Sequence, residues 1–182
     1  MGMVGGSPRK SFSDSRNEWI LMETEKKMWR TDQGTLLDVV VDRAAMESRL
    51  ADCTTVERVW LLTLLGRGDE AITEGRGLLE TSEDPFNALL VLAHAYQRTY
   101  QWRQAARLHE EALRLAHTRT REALVRHQIG RRLFDEGLYA AAAAEFDWAQ
   151  DLYRHAGRTR QAETSRQAKD RALKIHAQAM PR

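Results

Sequence analysis

The sequence predicts an all-α fold, and three observations carry that prediction. Only three prolines occur in 182 residues, so few positions are barred from a helix interior. Ala, Leu, Arg, Glu and Gln are abundant, and no run of Val, Ile and Thr reads as a strand. Apolar residues recur at three- and four-residue spacing along most of the chain, the period of a helix face. An apolar content of 42% is enough for one core on folding.

Residues 1–16, MGMVGGSPRKSFSDSR, are rich in Gly and Ser without apolar period, and a disordered segment is expected there. Residues 17–53 are expected to form N-terminal helices packed on the rest. The first, NEWILMETEKKMW, has Asp14 or Ser15 as a cap and Trp19, Met22 and Trp29 near one face. The second, LLDVVVDRAAMESRLA, carries Leu37, Val40, Val41, Ala44, Met46 and Leu50 on a broad apolar face.

Residues 54–157 divide into three helical hairpins. In the first, VERVWLLTLLG is apolar at nearly every position from Val59 to Leu65 and belongs inside. Gly66-Arg67-Gly68 makes the turn, and EAITEGRGLLE follows with Asp69 as its cap. Gly75 and Gly77 each cost about 1 kcal/mol relative to Ala, which implies close helix approach or weak local order. The second hairpin starts at Asp84-Pro85, turns near Thr99 to Gln101, and returns from Trp102 to about His117. REALVRHQIGRRLFDEG, a turn at Gly137, and YAAAAAEFDWAQDLYRHAG, ended by Gly157, make the third. Residues 158–180 place Ala162, Ser165, Ala168, Ala172, Ile175 and Ala179 on a narrow stripe, as a polar capping helix would.

Small residues at matching places in the second helices, Ala71, Ala105 and Ala142, lie 34 and 37 residues apart. On these residues the chain resembles the tetratricopeptide repeat (TPR) family, whose 34-residue helix-turn-helix unit carries W-x2-L-G-x2-Y followed by A-x3-F. The third hairpin offers Ile129, Gly130 and Leu133, then Ala142, Phe146 and Ala149; the second offers Leu89, Leu92, Ala93 and Tyr96, then Ala105 and Ala112. The first keeps Leu62, Gly66 and Ala71. Arg126 stands at the Trp position, His109 stands at the Phe position, and the closing Pro is missing, which is similar to the branch with long second helices. The resemblance implies a right-handed α-solenoid with a concave face lined by first helices.

That resemblance also implies a site. It places Asn87, Leu90, His94, Gln97 and Arg98 from the second hairpin on the concave face, with Leu124, His127, Arg131, Phe134 and Asp135 from the third. His94, Arg98, His127 and Arg131 would make it positive at mildly acidic pH and suit an acidic or C-terminal carboxylate on a peptide, with Phe134 as an apolar contact. The Lys and Asn clamp of the chaperone-binding members is absent, because Leu90 and His94 stand at those positions. A non-enzymatic adaptor for a protein or peptide is the expected function.

Other classes find less support in the residues. Cys53 is the only cysteine, so an intrachain disulfide and a thiolate zinc site are excluded. The six histidines have no metal-ligand spacing, and no cofactor motif, nucleophile elbow or phosphate loop occurs. The longest apolar run is far short of the about 20 residues of a membrane span, and the N-terminus lacks an apolar signal core. No membrane contact and a cytoplasmic location are expected. Residues 1–85 hold 11 Lys and Arg against 16 Asp and Glu, whereas residues 86–182 hold 17 against 10. The unlike halves admit a homodimer. The basic half, together with a short similarity of NEWILMETEKK to bacterial transcriptional-activator domains, leaves one alternative: a regulatory module contacting nucleic acid or an acidic partner.

Overall fold

The computed structural model describes residues 28–179; the expected disordered segment and most of the helix starting at Asn17 lie outside the described residues. The described chain is mostly helical, with one small sheet: β1 (Trp29–Thr31), β2 (Asp38–Val40), α1 (Arg43–Arg49), α2 (Thr55–Leu64), α3 (Gly68–Thr81), α4 (Phe86–Arg98), α5 (Trp102–Arg114), α6 (Arg119–Asp135), α7 (Tyr139–His155) and α8 (Thr159–Ala179).

The sheet corrects the sequence reading. Trp29 and residues 36–41, expected in two helices, instead form an antiparallel hairpin that pairs Trp29 with Val40, Arg30 with Val39 and Thr31 with Asp38. Three consecutive valines, Val39 to Val41, favour extended backbone. The Asp32 carboxylate closes the connection by accepting from the Gly34 amide at 3.0 Å, the Thr35 amide at 2.8 Å and the Thr35 hydroxyl at 2.9 Å. Helix begins only at Arg43, where Asp42 accepts from the Ala45 amide at 2.9 Å.

From α2 onward the expected helices form and each packs on the next, ending with α8 on α7; α2 also touches α4, and α4 touches α6. Four helix ends share one closure. After α2, α4, α6 and α7, the amides of Arg67, Gln101, Leu138 and Arg158 donate to the carbonyls of Leu62, Tyr96, Leu133 and Tyr153 at 2.8–2.9 Å. The residue before each donor is left-handed: Gly66, Tyr100, Gly137 and Gly157, with φ between 60° and 81°. Asp69, expected as a cap, lies within the first turn of α3 with Glu70, where carboxylates favour the helix dipole.

Burial follows the helix pairing. Met46, Val59, Leu62, Leu92 and Tyr96 form one cluster around α2 to α4. Phe86, Leu89, Val125 and Ile129 join α4 to α6. Phe134, Phe146, Ala168 and Ala172 join α6, α7 and α8, and Leu36 of the β-hairpin connection is buried with them. Close approach is greatest at Gly130, where an added Cβ would lie 2.7 Å from the Phe146 ring. Gly75 is held against Leu92, whereas a Cβ at Gly77 would meet nothing. Close approach thus accounts for Gly75 and not for Gly77.

Candidate functional site

The face on which α4 and α6 present their expected site residues is covered by the chain's own β-hairpin. Arg131 donates through Nη2 to the Leu36 carbonyl at 2.9 Å and to the Asp38 carboxylate at 2.8 Å. Both side chains of this ion pair are buried. Thr31 adds a hydroxyl bond to Asp38 at 2.7 Å, and the Arg171 guanidinium on α8 donates to the Gly34 carbonyl at 2.8 Å. Burial works against the Asp38 charge, but Arg131, His94 and the Thr31 hydroxyl together hold its carboxyl below the usual carboxylate value.

The ten residues expected to line an open groove are therefore divided. Leu90 and Leu124 belong to the apolar cluster between α4 and α6, and Phe134 packs edge-on against Tyr139 with centroids 5.2 Å apart. His94, Gln97 and Arg131 are buried as well. Asn87, Arg98, His127 and Asp135 are half-buried. Gln97 donates to Asp135, whose carboxyl is pushed up by burial.

The expected positive charge in mild acid is corrected at both histidines. His94 lies stacked on Trp60 with centroids 4.4 Å apart, and neither ring nitrogen has a hydrogen-bond partner. Burial, aided by the nearby Arg131 charge, lowers its pKa to about 3. The same two causes lower His127 to about 3. Its Nδ1 is hydrogen-bonded with the Ser165 hydroxyl at 3.0 Å. A Ser beside a His invites a nucleophilic reading, but Ser165 has no exposed surface, so no substrate carbonyl can reach its oxygen.

Between the hairpin and the beginning of α8 the covered face retains a cavity of about 430 Å³. Trp29, Arg30 and Leu36 form its hairpin wall; Leu124, Gln128 and Arg131 of α6 face them. Arg160, Gln161 and Thr164 of α8 close the side, with Trp60 and Tyr153 behind. Trp29 meets Trp60 edge-on at 5.7 Å, and its indole nitrogen is buried without a hydrogen-bond partner.

Sequence reasoning missed the hairpin side of this site and the α8 side alike. Asp38, Trp29 and Leu36 fell in segments read as helix, and Arg160 to Thr164 in a helix read as a polar cap. The available signal was the Asp32 to Thr35 turn chemistry before three valines. Among the described residues no helix is long and apolar enough to cross a membrane, and no group of three or more His, Cys, Asp or Glu could hold a metal ion. In comparisons with protein-family models, curated proteins and solved structures, the chain finds no match.

Proposed function

We infer that this chain is a non-enzymatic adaptor, a TPR-like stack of helical hairpins that holds an extended, carboxylate-bearing segment of a protein partner on the α4 and α6 face. One observation carries the reading. That face already accommodates such a segment, since the β-hairpin lays an extended strand over it and gives Asp38 to Arg131. A partner strand with an acidic residue would meet the same guanidinium once the hairpin moved aside. The 34- and 37-residue intervals, the shared helix closures and the adjacency of α2, α4 and α6 support the stacked arrangement.

The test uses the full chain and extended peptides carrying one acidic residue, with amide-capped neutral versions as controls. Asp38→Ala weakens the covering hairpin and is expected to raise acidic-peptide affinity by about tenfold, the scale of one charge-assisted hydrogen bond. Adding Arg98→Ala and Arg131→Ala is expected to abolish the gain. If no acidic peptide binds wild type or the Asp38 variant, the adaptor reading on this face is wrong.

A further inference from the structure

The β-hairpin meets α6 and α8 through a short stretch, Gly34 to Asp38, and the contacts of that stretch have a fixed order. The Gly34 carbonyl accepts from Arg171 at 2.8 Å. Leu36 is 6% exposed and shares an apolar cluster with Phe134, Phe146, Ala168 and Ala172. Arg131 then gives one nitrogen, Nη2, to two acceptors, the Leu36 carbonyl at 2.9 Å and the Asp38 carboxylate at 2.8 Å. Leu37, between them, is only half-buried.

The spacing is part of the fit. One residue more or less between Leu36 and Asp38 would carry the carboxylate about 3.3 Å along the chain, out of reach of a nitrogen still bound to the Leu36 carbonyl. The leucine matters as well. Its backbone is left-handed at φ 57°, a conformation that glycine adopts without strain and leucine does not, so the position is held for its side chain. The Thr31 hydroxyl that also bonds Asp38 belongs to β1; that contact lies within the hairpin and is no part of what the helices recognise.

We propose that the partner segment carries a large aliphatic residue followed two positions later by Asp, the Leu-x-Asp order of the hairpin itself. Its aliphatic side chain takes the place of Leu36 and its carboxylate the place of Asp38 at Arg131. This rests on the adaptor reading and narrows it from any acidic segment to one spacing. The hairpin is the competitor. A tethered segment opposes a free one as though present at about millimolar concentration, so the face opens to a partner in proportion as the hairpin is weakened.

Fluorescence anisotropy with a labelled, end-capped peptide copying residues 34–40, GTLLDVV, tests the pattern on three full-length chains: wild type, Asp38→Ala and Thr31→Val. Both variants loosen the hairpin and leave Arg131 and Arg171 in place; the milder Thr31→Val covers the case in which Asp38→Ala does not fold. One peptide is expected to bind per chain, about tenfold more weakly to wild type than to Asp38→Ala. Within the peptide, Asp38→Asn should lose about tenfold, the scale of a charge-assisted bond. Leu36→Ala should lose roughly thirtyfold through lost burial, and an Ala inserted between Leu37 and Asp38 as much as Asp38→Asn. At saturation, hydrogen exchange in the chain's own residues 28–41 should rise as the peptide takes the hairpin's place. Binding without that rise puts the peptide elsewhere and overturns the pattern. Failure of this peptide where other acidic peptides bind, or binding that needs the acid but ignores the leucine or the spacing, overturns the pattern and leaves the adaptor reading standing. Absence of binding by this and every other acidic peptide overturns both.

Discussion

The β-hairpin and α8 both cover helices that would otherwise expose apolar surface, yet they are held by different physics. α8 lies against α7 on a stripe of Ala162, Ser165, Ala168 and Ala172, all buried, so its attachment is close packing of small side chains. The hairpin is fastened by a buried ion pair, two backbone carbonyls accepting from Arg131 and Arg171, the buried side chain of Leu36, and Trp29 and Val40 packed half-buried on the core. Removing two charges from water is costly and the mutual attraction repays it only when every contact is in place. α8 is thus held by close-packed small side chains, while the hold of the hairpin combines apolar anchors with a buried ion pair that a single substitution can break.

The largest expected effect breaks the hairpin's side of this contrast. Asp38→Ala leaves Arg131 buried without its counter-charge and should cost about 3–5 kcal/mol of stability, measured by denaturant unfolding. Hydrogen exchange should rise across residues 28–41 and stay unchanged in α8. Replacing the pair together, Asp38→Leu with Arg131→Met, should recover most of the loss. Because the Asp38 carboxyl is held below its unfolded value of 3.8, its contribution is complete above that pH and disappears as pH falls through the folded value.

A smaller effect sharpens the packed side. Gly130→Ala forces a Cβ to 2.7 Å from the Phe146 ring, and overpacking of that kind costs about 1–3 kcal/mol. Gly77→Ala, where the added Cβ meets nothing, should instead stabilise by up to about 1 kcal/mol. Thermal unfolding of the two variants should move in opposite directions.

Acid titration separates the two regions again. His109 on α5 is 2% exposed, and burial, assisted by Arg132, lowers its pKa to about 3. Between the unfolded value of 6.5 and about 3 the unfolded chain carries a proton that the folded chain does not. The contribution of His109 to stability is therefore full above pH 6.5 and falls as pH drops, by about 1.4 kcal/mol per pH unit. His109→Phe should remove this share and leave those of His94 and His127, since Phe neither titrates nor leaves Nδ1 without a partner, and unfolding of both chains at pH 7 and pH 5 gives the comparison.

How much of this was legible in the sequence follows from the range of the interactions. The helices from Thr55 onward are written in local patterns: apolar period, and glycines at Gly66, Gly137 and Gly157 that accept left-handed backbone. Gly130 and Phe146 were each legible as motif positions, but their direct contact, with an added Cβ at 2.7 Å from the ring, was not. The cover was not readable, because its holding contacts join residues far apart in sequence, Leu36 and Asp38 to Arg131 and Gly34 to Arg171. For the same reason His94 and Arg131 read as open binding groups, although one is stacked under Trp60 and the other is neutralised by Asp38.

The smallest effect tests the closure that four helix ends share. Three of the four shared helix closures put glycine in the left-handed position, and the fourth puts Tyr100 there at φ 60°. A side chain in that conformation costs about 1–2 kcal/mol that glycine does not. Tyr100 is 78% exposed, and its ring meets only the edge of Trp102 at 5.6 Å, so little packing is lost with it. Tyr100→Gly should therefore stabilise the chain by somewhat under about 1 kcal/mol, the strain relief being partly offset by the greater freedom of glycine in the unfolded chain. The same substitution at Leu36, also left-handed at φ 57°, should destabilise, because there the side chain anchors the hairpin among Phe134, Phe146 and Ala172. Opposite signs at two equally strained positions would distinguish a turn that merely closes a helix end from one that fastens the cover.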